Sequence, residues 1–332
     1  MSDGTENHLV FAAMRNEGAF LLEWVVWYRM LGFDILVGIN DCTDRSPELL
    51  GALQDAGWLR VFEHVPQKDQ PPKISAYNAF KHQPEVAEAD WLLICDVDEF
   101  LVLHRGDGTI GGYLDEMGRD FLGLAFHWKC FGNSGWKRYQ PGLVHRQFKR
   151  CGVGSRRVNA FFKTLVRAPR RFRRFSDHFP VGFDGDMALP ENRVVDCELR
   201  PIDAFTTGDQ PVRFTDPAQI THATAQMNHY VIRSDESFDL KRGTPSASAF
   251  KDRYTDQFYK GRNRNGMKDT SALRHKRAFD RIHAEALALP NVRRLHHLCV
   301  ADYIVRLCEN QGLPPENDSR WQAQMAAAFS CG

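Results

Sequence analysis

The first hundred residues predict an α/β fold with a parallel, Rossmann-like sheet and helices on both faces. Strand-length runs there are largely apolar rather than alternating, as strands covered on both sides are, and the fourth, 91–95, is wholly apolar. Each run is separated from the next by a segment of helical spacing, the pattern of consecutive βα units. With 332 residues, 43% of them hydrophobic and 26% charged, the chain can also bury a sizeable core without disulfide or metal staples.

The elements follow in order. The run 8–14 reads as the first strand. Segment 20–31 carries Leu21, Trp24, Val25, Tyr28 and Leu31 at helical spacing, and Gly32 ends it. A second strand spans 34–39. Ser46, Pro47 and Glu48 open a helix that runs to Gly57. A strand at 58–65, a helix at 74–82 and a wholly apolar strand at 91–95 complete the series. In such sheets ligands bind beyond the carboxyl ends of the strands, which directs attention to 15–17, 40–44, 67–73 and 96–99. Further on, a helix at 109–117 and strands at 121–128 and 160–167 flank a Gly-, Arg- and aromatic-rich loop region. A strand at 226–232 precedes a helix starting at Ser234, and helices at 272–289, 292–311 and 320–329 form a helical C-terminal extension. The expected division is 1–103 and 104–245 as two halves of one domain, then 246–332.

Charge and cysteine usage narrow the setting. The net charge of +1 gives no global attraction to nucleic acid, and none is expected as a partner. No apolar run approaches the roughly 20 residues that span a bilayer. The polar start followed by Arg15 is unlike a secretory signal. Eight cysteines without CxxC spacing read as free thiols, so a cytoplasmic location is expected. One local asymmetry stands out: residues 146–174 hold eleven Lys or Arg and no acid. That stretch suits an anionic acceptor, or a peripheral contact with an anionic membrane at its inner face.

The sharpest chemical signal is Asp96-Val97-Asp98, directly after the apolar strand. Side chains alternate along extended chain, so the two carboxylates leave on one side. Carboxylates this close repel unless a cation lies beside them. Hard oxygen ligands with room for substrate oxygens suit Mg²⁺ or Mn²⁺ carrying a phosphate. Lys73 is placed to reach a phosphate as a point charge. Asn16 and Asp44 each have a second reading, as caps of the helices that follow them.

Met14-Arg-Asn-Glu17, Glu23-Trp24, Leu31-Gly-Phe-Asp34, Asn40-Asp-Cys-Thr-Asp44 and Asp96-Val-Asp-Glu-Phe100 together resemble the family 2-type glycosyltransferases of GT-A fold. The closest branch is the one related to the family 92 enzymes. The resemblance continues through Trp128-Lys-Cys-Phe-Gly-Asn-Ser-Gly135, Lys163-Thr164, His229-Tyr-Val-Ile-Arg-Ser234 and Lys241-Arg242, covering residues 8–245. It implies that Arg15, Asn16, Glu17, Asp41 and Asp44 hold the nucleotide, with Lys73, Asp96 and Lys163 nearby. It implies Asp98 as main metal ligand, Asp96 as supporting ligand and His229 as a further one, with an imidazole favouring Mn²⁺ over Mg²⁺.

What the resemblance implies in function is a metal-dependent, inverting transfer from a nucleotide-sugar donor to a glycan, lipid-linked or other hydroxyl acceptor. Cell-surface glycan or glycolipid synthesis is the expected setting. An inverting transfer needs a base to take the acceptor proton. The Glu-Asp pair usual in the family is missing, and the matching region reads FGNSGW. Asp177 and His178 are the substitute candidates, with Asp184, Asp186 and Glu99 behind them. Two other readings stand beside this one. A degenerate domain of the same fold would bind glycan or an anionic surface without catalysis, and a HAD-type phosphatase would use Asp96 as nucleophile.

Overall fold

The computed structural model describes residues 6–205, 209, 211–247 and 251–330. The polar first five residues and the last two of the helical extension lie outside them.

The expected βα series is present. In chain order it comprises β1 (His8–Met14), α1 (Gly18–Met30), β2 (Asp34–Ile39), α2 (Ser46–Asp55), β3 (Arg60–Glu63), α3 (Pro72–Phe80), α4 (Pro84–Glu88) and β4 (Trp91–Ile94). Then come β5 (Glu99–Leu103), α5 (Ile110–Met117), β6 (Gly123–Cys130), α6 (Val144–Gln147), β7 (Arg150–Cys151), β8 (Phe162–Arg167), β9 (Phe172–Arg174), β10 (Val181–Phe183), β11 (Val194–Asp196) and β12 (Ala225–His229). The chain ends with α7 (Asp235–Asp239), α8 (Asp256–Arg262), β13 (Met267–Lys268), α9 (Lys276–Ala288), α10 (Val292–Asn310) and α11 (Ser319–Phe329).

The main sheet runs β3-β2-β1-β4-β8-β6-β12-β5, with β11 also paired to β6. The first four strands are mutually parallel, and β6 and β12 share their direction; β8 and β5 run against them. The sheet is therefore mixed beyond β4, where the sequence had announced only parallel strands. The carboxyl ends of β1, β2, β4, β6 and β12 consequently lie along one edge, and the reversed strands β8 and β5 start there.

Alternation along β1 feeds two cores. Val10, Ala12 and Met14 pack toward α1, and Leu9 and Phe11 toward Tyr77, Phe80 and Val86 of α3 and α4. Helix α1 is buried on every side: only Ala19 and Arg29 of its thirteen residues are outside the buried set. A helix apolar all round needs cover on its second face. Helices α9 and α10 supply it, so the C-terminal extension shares the main core, with Phe279, Val292, Cys299, Tyr303 and Leu307 in one cluster with Trp24 and Trp27. Gly18 shows how close the approach is: a Cβ there would stand 2.8 Å from the Cys299 sulfur.

The seven cysteines among the described residues are all free thiols. No helix among the described residues is long and apolar enough to cross a membrane.

Candidate functional site

The site begins where β4 ends. Asp96 to Asp98 turn the chain from β4 into β5, which pairs antiparallel with β12 so that Glu99 stands opposite His229. The Tyr230 N–H donates to the Asp98 carbonyl at 2.8 Å and fixes the register past the strand end. Sheet pairing thus brings residues 98 and 229 together despite their separation in sequence. His229 Nε2 lies 3.6 Å from Asp98 Oδ1. Its ring is flanked by Trp128, with centroids 4.1 Å apart, and its Nδ1 is buried with no hydrogen-bond partner among the described residues. Burial pulls the imidazole down to about 3, against the opposing pull of Asp98 and Asp96. The ring is neutral, the form that ligates metals.

Asp96 has different company. Its Oδ1 accepts from Lys73 Nζ at 2.6 Å, and its Oδ2 lies 3.5 Å from Lys163 Nζ. Burial opposes ionisation, but Lys163 and Lys73 outweigh it and hold the carboxyl far below the ordinary range. Lys163 also contacts Glu99 Oε2 at 3.0 Å, and that same oxygen accepts the Asp96 N–H at 2.8 Å. Glu99 is fully buried, with Oε1 lacking a partner among the described residues; burial pushes its carboxyl up to about 8 despite Lys163.

Lys73 extends the chain of charges, since its Nζ also lies 2.6 Å from Asp177 Oδ1. Tyr77, one helical turn beyond Lys73 on α3, donates its hydroxyl to the same Asp177 oxygen. Burial raises Asp177, but Lys73 and Lys163 overrule it and depress its proton affinity strongly. His178 Nδ1 lies 2.8 Å from the Phe162 carbonyl. A carbonyl only accepts, so Nδ1 carries the proton and Nε2 keeps its lone pair. Burial, then Lys163, lowers this imidazole to about 4.

The structure therefore gathers Asp96, Asp98, Lys73, Lys163, Asp177, His178 and His229 into one neighbourhood at the carboxyl edge. The remaining candidates divide. Asn16 Oδ1 accepts from the Thr43 and Asp44 N–H groups at 2.7 and 3.2 Å, tying the loop after β1 to the loop after β2. Asp44 accepts from Gly18 N at 3.1 Å and from Ser46 N at 3.0 Å, so it serves the first turns of α1 and α2 together. Glu17 lies 3.5 Å from Arg233, which is buried against the Phe20 ring. Arg15 and Asp41 are exposed at the same edge.

Some expectations are corrected by this geometry. Asn16 is not an N-cap; it is left-handed at φ 57, and its side chain bridges two loops. Asp96, expected as a supporting metal ligand, faces ammonium groups with both oxygens, Lys73 on one and Lys163 on the other. Asp184 is paired with Arg171 at 2.6 Å and Asp186 accepts from Ala188 N at 2.8 Å, so both serve their own loops. The basic stretch 146–174 is no single face: Lys163 is interior, Arg146 pairs with Asp280 and Arg173 with Asp209.

Several residues not singled out from the sequence belong to the site, although Arg233 and Lys241 lie in motifs that carry the resemblance. Lys241 lies 3.7 Å from Asp98 Oδ2 and donates to the Val231 carbonyl at 2.9 Å. Burial opposes ionisation of Asp98, and the positive charges of Lys241 and Arg233 overcome it and lower the carboxyl. Tyr77 was within reach of inference, because it stands four residues after Lys73 on the same helix face.

Among the described residues, no group of three or more His, Cys, Asp or Glu is arranged to hold a metal ion. Asp98 and His229 fit a divalent cation as a pair: one carboxylate oxygen and one neutral imidazole nitrogen, facing each other across 3.6 Å.

No family model matches the sequence, and no curated protein does. Solved structures do. S. aureus TarS 1–349 is similar at 14% identity, covering 98% of this chain and 92% of that one, with a TM-score of 0.33. The same protein in complex with UDP-GlcNAc matches at 13% identity over 92% of each chain, with a TM-score of 0.33. The galactosyltransferase LgtC in complex with donor and acceptor sugar analogs matches at 13% identity, over 85% of this chain and 97% of that one, with a TM-score of 0.28. Likeness at that level adds nothing to the strand order and site geometry above.

Proposed function

We propose that the protein is a glycosyltransferase that moves a sugar from a nucleotide-sugar donor to an acceptor hydroxyl. The observation that supports this most is the convergence of Asp98 and His229, with Lys73, Lys163 and Lys241 around them, at the carboxyl edge of the sheet. That edge is where open α/β sheets take nucleotides. A Mn²⁺ or Mg²⁺ ion held by Asp98 and His229 would supply Lewis-acid neutralisation of a diphosphate leaving group.

The chain's own groups account for the other tasks. Lys241, beside Asp98, adds positive charge where the leaving group would gather negative charge. Lys73 and Lys163 hold Asp96 ionised and oriented, which suits it to accept from ribose hydroxyls rather than to bind metal. Asn16 and Asp44 fix the two loops that would flank the base. His178 presents Nε2 as the group to take the acceptor proton in an inverting displacement, with Nδ1–H anchored on Phe162. Asp177, depressed by Lys73, orients that lysine instead. A glycan, lipid-linked or other hydroxyl acceptor fits this chemistry, and cell-surface glycan or glycolipid synthesis is the setting proposed for it.

The test is calorimetry with UDP-, GDP-, CMP- and dTDP-sugars with and without Mn²⁺, on the wild type and Asp98→Ala. Cation-dependent binding of one nucleotide that Asp98→Ala abolishes supports the reading. Nucleotide affinity indifferent to both cation and Asp98 overturns it.

A further inference from the structure

We propose that a groove at the open end of the β7–β13 ribbon binds an anionic group on the acceptor, through the guanidinium groups of Arg156 and Arg264. The proposal rests on the glycosyltransferase reading and names its acceptor class: a hydroxyl compound bearing a phosphate or carboxylate.

The groove encloses about 320 Å³ between the loop that follows β7 and the turn that precedes β13. Its walls are Gly152, Val153, Arg156 and residues 263–266, with two arginines and no acid. Neither Arg156 nor Arg264 has a carboxylate partner among the described residues, whereas Arg146, Arg171, Arg173 and Arg200 are all ion-paired. Two unpaired guanidiniums on one concave wall form a site for oxygen anions, because each presents a planar fork of donors.

The carboxamides in the wall are already committed. Asn263 Oδ1 accepts from Asn133 N at 2.8 Å, and Asn265 Oδ1 accepts from Ser134 N at 2.8 Å. Asn265 Nδ2 donates to Asn133 Oδ1 at 3.2 Å and to Asn263 Oδ1 at 2.9 Å. Asn263 Nδ2 donates to the Tyr259 hydroxyl at 2.6 Å. This lattice clamps the Gly132–Asn133–Ser134 loop so closely that a Cβ on Gly132 would stand 2.6 Å from both asparagine oxygens. The wall is held rigid by its amides; Arg264 Nε donates to the Gly261 carbonyl at 3.1 Å, which leaves its terminal amino groups and the Arg156 guanidinium as the side-chain donors for an anion. Gly152 leaves room for the Arg264 and Arg156 stems, whose nearest carbons lie 3.3 and 3.9 Å from the position of its missing Cβ.

The groove lies next to the reactive edge. Gly152 N donates to the Cys130 carbonyl at 3.0 Å, at the end of β6, and Phe131 N donates to the His229 carbonyl at 3.0 Å. Two main-chain hydrogen bonds therefore link the groove floor to the residue that faces Asp98. An anion seated there would hold an acceptor hydroxyl near the donor without occupying the diphosphate position.

The experiment titrates glycerol 1-phosphate and, separately, glucuronate into the full chain by calorimetry, with UDP and Mg²⁺ saturating so that the nucleotide position is filled. The expected result is salt-sensitive binding of one of them, weakened about tenfold or more by Arg156→Glu, whose side chain is exposed. Arg264→Lys keeps the charge but loses the fork, and should weaken binding less. UDP affinity should be unchanged in both variants. Which of the two probes binds distinguishes phosphate-bearing from carboxylate-bearing acceptors. Absence of binding by either probe, or binding indifferent to both variants, overturns the proposal. Failure of the wild type to bind any of UDP, GDP, CMP and dTDP would instead sink the glycosyltransferase reading, while repeating the titration without nucleotide would still read the groove.

Discussion

Lys73 donates to Asp96 at 2.6 Å, joining the first turn of α3 to the end of β4. The same ammonium lies 2.6 Å from Asp177, so one lysine neutralises two carboxylates that would otherwise repel. The acidic motif is thereby split in function. Its first acid is a paired, oriented carboxylate, and its second is left to face His229.

Removing that lysine should reveal the split. Lys73→Met leaves Asp96 and Asp177 facing each other with only Lys163 nearby. Because both acids are partly exposed, the loss of stability should be on the order of 2 kcal/mol rather than the larger cost of a fully buried pair. Urea denaturation checks it, and Lys73→Met combined with Asp177→Asn should recover part of the loss. No recovery would mean the two acids do not interact through Lys73.

Cation affinity should be nearly flat between pH 7.5 and 5.5. An ordinary histidine ligand would be protonated below about 6.5 and lose metal there. Burial keeps His229 neutral down to about 3, and Asp98 stays ionised beside the positive charges of Lys241 and Arg233. Mn²⁺ titration of the nucleotide-free protein, followed by calorimetry at three pH values, measures this. A loss of affinity centred near pH 6.5 would show that the imidazole is not desolvated.

His178→Ala should lower kcat by about a hundredfold with little change in donor KM, the usual scale for losing a general base. Its imidazole is lowered to about 4, so the acidic limb of the wild-type rate profile should fall near pH 4 and not near 6.5. Unchanged turnover in the variant would remove His178 from proton transfer.

How far the sequence foretold all this differs by element. Strands β1, β2 and β4 were legible because burial on both faces makes their sequences almost continuously apolar, and Asp96 and Asp98 stood out against that background; β3, an edge strand with Arg60 and Glu63 exposed, was marked only by its place between two helical segments. Strand β5 was missed because only a four-residue turn separates it from β4, leaving no turn-rich gap to mark it. Lys241 and Arg233 were missed as site residues because their partners lie far off in sequence and reach them through β12. The role of the C-terminal helices was missed for another reason: helix α1 announced its apolar faces, but nothing in the sequence said which segment would cover the second one.

Acid should destabilise the fold before carboxylates of ordinary proton affinity are protonated. Burial lowers His127, His222 and His275 to about 4, and His296 to about 3, alongside His178 and His229. A lowered folded value means the unfolded chain binds more protons between about pH 6.5 and those values, so stability falls as pH drops through that window. Each group contributes at most about 1.4 kcal/mol per pH unit there. Melting temperatures measured from pH 7.5 to 4.5 should decline steadily below 6.5. A constant Tm down to pH 5 would contradict the burial of these rings.

Arg320 should matter to folding and not to the donor site. It lies on α11 with its side chain buried, donating to Glu236 Oε2 at 2.7 Å, to the Tyr139 carbonyl at 2.7 Å and to Asp318 Oδ2 at 2.7 Å. Glu236 on α7 in turn accepts from Tyr139 N at 2.7 Å and Gln311 Nε2 at 2.8 Å. One guanidinium therefore joins the last helix, the loop after β6 and the helix that follows β12. Arg320→Met leaves the Glu236 carboxylate buried without its cation, Asp318 keeping Arg138 at 3.3 Å, a change that typically costs about 3–5 kcal/mol. Chemical denaturation should show that loss, while the variant that remains folded binds UDP as the wild type does, because none of these groups reaches Asp98 or His229. Arg320→Lys should restore only part of the stability, since an ammonium cannot serve three partners with one planar fork. Weakened UDP binding at unchanged stability would place Arg320 in the site after all.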